Sequence, residues 1–396
     1  MQVIDKRKAM AIPPFFRLGF RPFFLLSALL ALIAIPLWIG AFLGGWAFPT
    51  PTGGWLAWHR HEMVFGFAGG VIAGFLLTAV QTWTGQPSLS GKPLAVLVVL
   101  WLLARFSWWL PSAIPLLLLN VLFLLAVAVA MARMLWAVKQ NRNYPIAVVL
   151  LLLTVADALT LCGVVQSNDA WQRQGSLAAV WLVTAMITLI GGRVIPFFTF
   201  RGLGKTEQVS AWAWLDWSLL IGTVLAAATT AIGWLMQGAH AASGALFLLL
   251  GIGHSIRIAR WFDAGLLRVP LLWSLYLAYA WLIVACFGLA LWAFGFGVPE
   301  GQALHALTVG AIGGLILAMM ARVSLGHTGR ALELPKGFFI AFVLLNVATL
   351  LRVIGPSFVY TTAMWLAALA WSLAFVQFAW VYGPMLCKTR VDGHPG

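Results

Sequence analysis

Imidazole is scarce in this chain, and much of it stands where water should not be. Among 396 residues there are seven histidines, and His61, His254, His305 and His327 fall in or beside long apolar runs. Neutral imidazole is an axial ligand for haem iron and a good ligand for copper, and a pair on different helices suits a b-type haem in a helix bundle. His61 and His305 meet that demand by position. Superposing one on the other also aligns Gly66 with Gly310, Gly69 with Gly313, Gly70 with Gly314, Thr84 with Thr328 and Gly85 with Gly329, so the two segments read as one motif used twice. Glycine pairs recur in any membrane helix because they permit close packing, but that alone does not fix a common frame. On an α-helix His61 shares a face with Phe65, Ala68, Ile72 and Phe75, with Gly66 and Gly70 roughly opposite. The histidine face is expected to look toward a cofactor and the glycine face to pack helices.

Two neighbours of His61 extend its chemistry. His59 would point about 160° away on a continuous helix, whereas in an extended segment both rings would point the same way and could grip one metal. Glu62 could orient the imidazole or deliver protons. His59 and Glu62 are therefore the candidate catalytic residues, and His59 is also a candidate metal ligand. The competing reading of His59, Arg60, His61 and Glu62 is a hydrated polar cap at a helix entrance.

A second set is expected across the membrane. His327 lies on nearly the same helix face as His305, about 33 Å further along the axis. His254 is expected near that level, with Arg257 at i+3 placed to pair with a haem propionate and Arg322 as a second such cation. The alternative is that His254, Arg257, Arg260 and Arg268 form a basic cluster with an interfacial histidine. His240 reads as a loop residue and His394 as a tail residue. Asp157 and Asp216 read as isolated intramembrane acids, suited to proton relay or helix capping.

Composition says what must position these residues. Lys and Arg number 24, Asp and Glu 10, so only 9% of the chain is charged, while 62% is hydrophobic and mean hydropathy is +0.97; soluble domains carry about 25% charge. An all-α integral membrane protein is expected. Spans are placed near 23–46, 55–81, 93–112, 114–138, 145–166, 175–200, 211–236, 239–261, 269–295, 301–325, 337–354 and 358–386. The short connections leave no room for a nucleotide-binding domain or an ectodomain, and runs this apolar are not barrel strands.

The net charge of +14 is a topology signal. With both termini cytoplasmic, only Arg60, Arg105, Arg173 and Arg352 of the 24 Lys and Arg lie toward the other face, and nucleic-acid binding is not expected. The first apolar run reads as a membrane helix and not as a cleavable leader. Cys162, Cys286 and Cys387 form neither a disulfide framework nor a C-x-x-C-H motif, so a haem here would be non-covalent. A weaker match sets Arg193-Val194 on Arg322-Val323 and Thr199 on Thr328. It would make helices 2, 6 and 10 equivalent members of three four-helix units, 1–138, 139–261 and 262–396.

Several blocks also carry a resemblance. Phe16-Arg17-Leu18-Gly19-Phe20-Arg21-Pro22-Phe23-Phe24, Trp58-His59-Arg60-His61-Glu62-Met63, Gly74-Phe75-Leu76-Leu77-Thr78-Ala79-Val80 with Trp83-Thr84-Gly85, Gly191-Gly192-Arg193-Val194-Ile195-Pro196-Phe197-Phe198-Thr199 and Gly326-His327-Thr328-Gly329-Arg330 resemble the NnrS family along nearly the whole chain. The resemblance implies a multi-pass protein of the bacterial inner membrane with about twelve helices, containing haem and copper and linked to nitric oxide metabolism and nitrosative stress. Joined to the histidines, it implies haem b, with copper as a second option and nitric oxide as ligand. His61, His305, His254 and His327 are the candidate ligands, and the outcome is either NO binding or NO reduction. A twelve-helix secondary transporter coupling protons through its histidines is the alternative.

Overall fold

In hydrocarbon every backbone N–H and C=O must be bonded within its own segment, which for a single run of about twenty apolar residues means a helix. A computed structural model describes residues 6–236 and 240–395, and among them 12 helices are long and apolar enough to cross a membrane. These are α1 (Phe20–Phe42), α2 (Gly54–Thr84), α3 (Lys92–Trp109), α4 (Ala113–Ala137), α5 (Asn141–Val165), α6 (Asp169–Gly202), α7 (Ala213–Ala231), α8 (Ala241–Trp261), α9 (Pro270–Ala293), α10 (Glu300–His327), α11 (Phe339–Ser357) and α12 (Tyr360–Cys387). No strand occurs among the described residues. The chain is an all-α multi-pass membrane protein.

Helix ends depart from the apolar runs where polarity and helicity part company. α6 begins at Asp169 and not near 175, because Asp169, Gln172, Arg173 and Gln174 are polar yet continue the helix, and an acid in the first turn suits the helix dipole. α1 stops at Phe42, since the residues beyond it include Gly44 with φ of 76°, a left-handed conformation that ends a helix. Residue 239, where the eighth span is expected to start, lies outside the described residues.

The chain divides into two compact units. Unit 1 comprises Met1–Ser176, Met320–Pro335 and Phe375–Gly396; unit 2 comprises Leu177–Met319 and Lys336–Ala374. In each, large side chains stand on the outside, such as Ile114 at 67% exposed and Trp380 at 82% in unit 1, or Leu249 at 66% in unit 2. A surface so apolar is covered by lipid.

Two helices carry the same irregularity at matched places. α2 is π-helical over Glu62–Ala68 and α10 over Ala306–Gly313, so in the register that pairs His61 with His305 each π segment starts at the residue after the histidine. π turns are rare and often mark functional sites. α6 is α-helical throughout.

In unit 1 the first and third resemblance blocks pack on each other. A Cβ on Gly74 would lie 2.8 Å from Phe23 Cβ and 3.2 Å from the Gly19 carbonyl oxygen, and one on Gly19 would lie 2.9 Å from Leu77 Cβ. Thr78 closes the crossing, its hydroxyl accepting from Phe20 N at 2.9 Å and donating to Gly74 O at 2.7 Å. Gly74→Val should cost about 1–3 kcal/mol through overpacking. The check is the midpoint of thermal unfolding of the purified protein in detergent, which should fall. Gly301→Ala is the contrasting change, in the first turn of α10, where a Cβ meets nothing within 4 Å.

Candidate functional site

Unit 1 buries a polar cluster where α2, α3, α4 and α5 meet. His61 is fully buried, and each ring nitrogen faces a carboxylate: Nδ1 lies 3.0 Å from Glu62 Oε1 and Nε2 lies 2.8 Å from Asp157 Oδ1. Glu62 Oε1 also accepts from Trp108 Nε1 at 2.8 Å, and Glu62 Oε2 faces Arg105 Nε at 3.1 Å. The Arg105 guanidinium donates to Asn120 Oδ1 and lies over the Trp101 ring.

The helices set these positions. The π segment follows His61 immediately, and the Gly66 carbonyl within it accepts from Trp101 Nε1 at 3.1 Å. Gly66 has no Cβ where the Arg105 guanidinium lies, so the glycine face of α2 makes room for a cation as well as for a helix.

Charge balance defines what this arrangement holds. Two carboxylates face one guanidinium, and a second positive charge is needed for neutrality in a low-dielectric interior. Carboxylate oxygens accept and do not donate unless protonated, so two carboxylates on opposite ring nitrogens are both satisfied when the imidazole carries both protons. The trio of Asp157, His61 and Glu62 thus sets two acceptors on one imidazole in an otherwise apolar bundle. His59 points elsewhere, its ring stacked on Trp38 with centroids 4.7 Å apart. The α-helix through His59 and His61 thus sends the two rings to different elements. Beside them Arg60 pairs with Asp169 at 2.6 Å.

Unit 2 holds a second network. His254 Nδ1 lies 2.6 Å from Tyr279 Oη, and Arg257 one turn later donates to the Thr188 carbonyl at 2.9 Å and pairs with Asp216 at 2.8 Å. The side chain of Arg257 occupies the space above Gly192, the second glycine of the Gly191-Gly192-Arg193 block. His305 is on the first turns of α10, with Nδ1 2.5 Å from the Gly301 carbonyl oxygen.

The remaining candidates are in unit 1. The His327 ring lies 5.6 Å from that of Phe20, and its carbonyl accepts from Arg390 Nη1 at 3.1 Å. Arg322 is buried in the same stretch of α10. The candidate residues are thus divided, with His59, His61, Glu62, Arg322 and His327 in unit 1 and His254, Arg257 and His305 in unit 2.

Asp157 and Asp216 read as isolated acids in the sequence, and here the structure differs. Each is the partner of a buried base, brought to it by another helix. Arg105, Trp108, Asn120 and Tyr279 are not marked as site residues by the sequence. One signal points to Arg105: it is among the four cations that run against the charge asymmetry.

These geometries differ in their fitness for a metal. A carbonyl can only accept, so His305 Nδ1 carries a proton, the orientation usual for a ligating histidine. His254 is ready in the same way when its Nδ1–H donates to Tyr279. His61 could ligate iron or copper only after one ring nitrogen released its carboxylate. Among the described residues no group of three or more His, Cys, Asp or Glu is disposed to hold a metal ion, and Glu62 and Asp157, at opposite ends of one ring, do not converge.

The model of one family, described as NnrS protein, matches residues 14–390 of the chain. No curated protein matches it.

The cluster in unit 1 makes a stability prediction. Arg105→Met leaves buried negative charge uncompensated and should cost about 3–5 kcal/mol. Adding Glu62→Gln should restore part of that loss. Thermal unfolding of the three variants in detergent checks the order, the double variant being more stable than Arg105→Met alone.

Proposed function

The chain belongs to the NnrS family, and on that premise we propose that it is a haem-binding protein of the bacterial inner membrane that takes up nitric oxide and reduces it, with the Asp157–His61–Glu62 trio as its proton reserve. The observation that carries the proton role is the pair of carboxylates on the two nitrogens of one fully buried imidazole.

The reasoning follows the reaction's needs. Nitric oxide is small and apolar, so it reaches an intramembrane site by partitioning through lipid. Reducing two molecules to nitrous oxide and water consumes two electrons and two protons, and protons are what a bundle with 9% charged residues lacks. The trio stores one, and its loss leaves two carboxylates against Arg105 alone, a state that draws a proton in from outside. Glu62 links the store to Trp108 and Arg105, and Arg60 with Asp169 form an exposed ionic pair beside it, where a proton can arrive from water.

For the cofactor, His305, whose Nδ1 is oriented by the Gly301 carbonyl, is the candidate for iron, with His254 next. When bound, haem would supply an iron site for nitric oxide and a route for the two electrons, which an external reductant must provide. Copper, which membership of the family implies as well, has His59 as its candidate ligand; His61 and His327 remain candidates for iron once their present surroundings rearrange.

A second reading, proton-coupled transport, draws on the same bracketed imidazole, since a buried group that holds one proton also serves a transporter. Pigment separates the two. The purified protein is expected to show a Soret band, with haem content reduced in His305→Ala. Under anaerobic conditions with a chemical reductant it should consume nitric oxide and release nitrous oxide. Asp157→Asn and Glu62→Gln should keep haem and slow turnover about 100-fold, the scale of a lost general acid. A colourless protein would favour transport, and stoichiometric binding without turnover would leave uptake without reduction.

A further inference from the structure

Arg21 is fully buried in the first turn of α1, and its guanidinium is half satisfied. Nη1 donates to the Leu386 carbonyl at 2.9 Å and the Lys388 carbonyl at 2.6 Å, while Nε and Nη2 are buried with no hydrogen-bond partner. In a planar guanidinium the Nε–H and the near Nη2–H lie side by side on one edge. That edge is the fork which receives two oxygens of a carboxylate or phosphate. Two buried donors without acceptors are costly, and here they are adjacent and parallel.

The surroundings are cationic. Arg17, Arg330 and Arg390 all lie within electrostatic reach of Arg21. Arg17 donates to the Ile12 and Met10 carbonyls at 2.9 Å each and to the Pro395 carbonyl at 3.4 Å, so these hydrogen bonds neutralise no charge. Arg330 donates weakly to the Thr328 carbonyl at 3.5 Å. Among the described residues a nearby carboxylate, Asp392, is held by Arg390 in two hydrogen bonds of 2.9 and 2.5 Å. That pairing, from the tail beyond α12, keeps the Asp392 carboxyl well below the usual carboxylate range, so at neutral pH it is ionised and spent on Arg390. The tail is fixed over Arg21 by Arg390 to the His327 carbonyl and by Val391 N to Thr328 O at 3.2 Å.

We propose that unit 1 binds a phosphate group on the unpaired Nε–Nη2 edge of Arg21, with Arg17 and Arg330 supplying the balancing charge. Three guanidinium charges with no acid of their own among the described residues favour a phosphate over a single carboxylate. The position, in the first turn of a membrane span, is the level of lipid headgroups. The phosphate has two sources, the headgroup of an anionic phospholipid or inorganic phosphate from solution. The inference is independent of the haem reading.

The test uses the full-length protein. In one arm, delipidated protein in detergent is titrated with inorganic phosphate against chloride of equal ionic strength, following the thermal midpoint. In the other, native mass spectrometry counts phosphatidylglycerol retained from mixed phosphatidylcholine and phosphatidylglycerol micelles. A specific response in either arm is expected. Stabilisation by inorganic phosphate identifies a soluble ligand; retention of phosphatidylglycerol with no phosphate effect identifies a headgroup. Arg21→Lys keeps the charge but loses the fork, and should weaken the response at least about tenfold. Should Arg21 variants fail to fold, Arg330→Gln, at a half-buried position, should weaken binding in the same assay. No preference over chloride and phosphatidylcholine would mean that the edge holds water only and would overturn the proposal, as would unchanged affinity in Arg21→Lys or, where that variant does not fold, in Arg330→Gln.

Discussion

Charge inside hydrocarbon has to be matched at contact distance, and the polar interior of this protein is organised by that rule. Arg105 and Arg257 are the clearest cases. Each is buried, each faces an acid from another helix, Glu62 or Asp216, and each lies over a glycine, Gly66 or Gly192. A guanidinium is broad and flat, so it fits between packed helices only where a neighbour gives up its side chain. The glycines in these motifs thereby acquire a reason beyond close helix packing: they are the berths of buried cations. A histidine shares each neighbourhood, His61 through Glu62 and His254 through Tyr279.

How much of this was legible in the sequence follows from the range of each interaction. The spans were readable because a run of apolar residues is a local property, and the twelve helices lie where those runs lie. Their ends were less so, since Asp169 to Gln174 include polar residues and are still helical. The histidines stood out by type. Their partners did not, because Asp157 is 96 residues from His61 and nothing local marks one acid as the mate of one imidazole. Trp108 was hidden among 22 tryptophans. Arg105 alone left a trace, as a cation on the side with few of them. The π segments left none, for their backbone is set by what packs against it.

The repeated motif shows how one pattern can be given two chemistries. His61 and His305 occupy matched positions, each followed at once by a π segment. After the histidine, however, one copy has Glu62 and the other Ala306. In the first the ring is enclosed by carboxylates. In the second the ring is oriented by a backbone carbonyl, with no carboxylate beside it in sequence. A single position thus separates an imidazole held between carboxylates from one oriented by a backbone carbonyl.

The π segment of α2 also sets a phase. A π turn accommodates one residue more than the α-helix would, and beyond it every side chain is rotated by about 100° relative to an uninterrupted helix. His61 and Glu62 are on one side of that offset; Gly74 and Thr78, which seat α1, are on the other. The helix therefore has a reading frame of its own. Regular α-helical geometry with every residue kept would swing the ionic cluster away from α5 while the contact with α1 stayed in place, whereas losing one residue between Glu62 and Ala68 together with the π turn would leave both flanks in phase; the extra residue and the π turn go together.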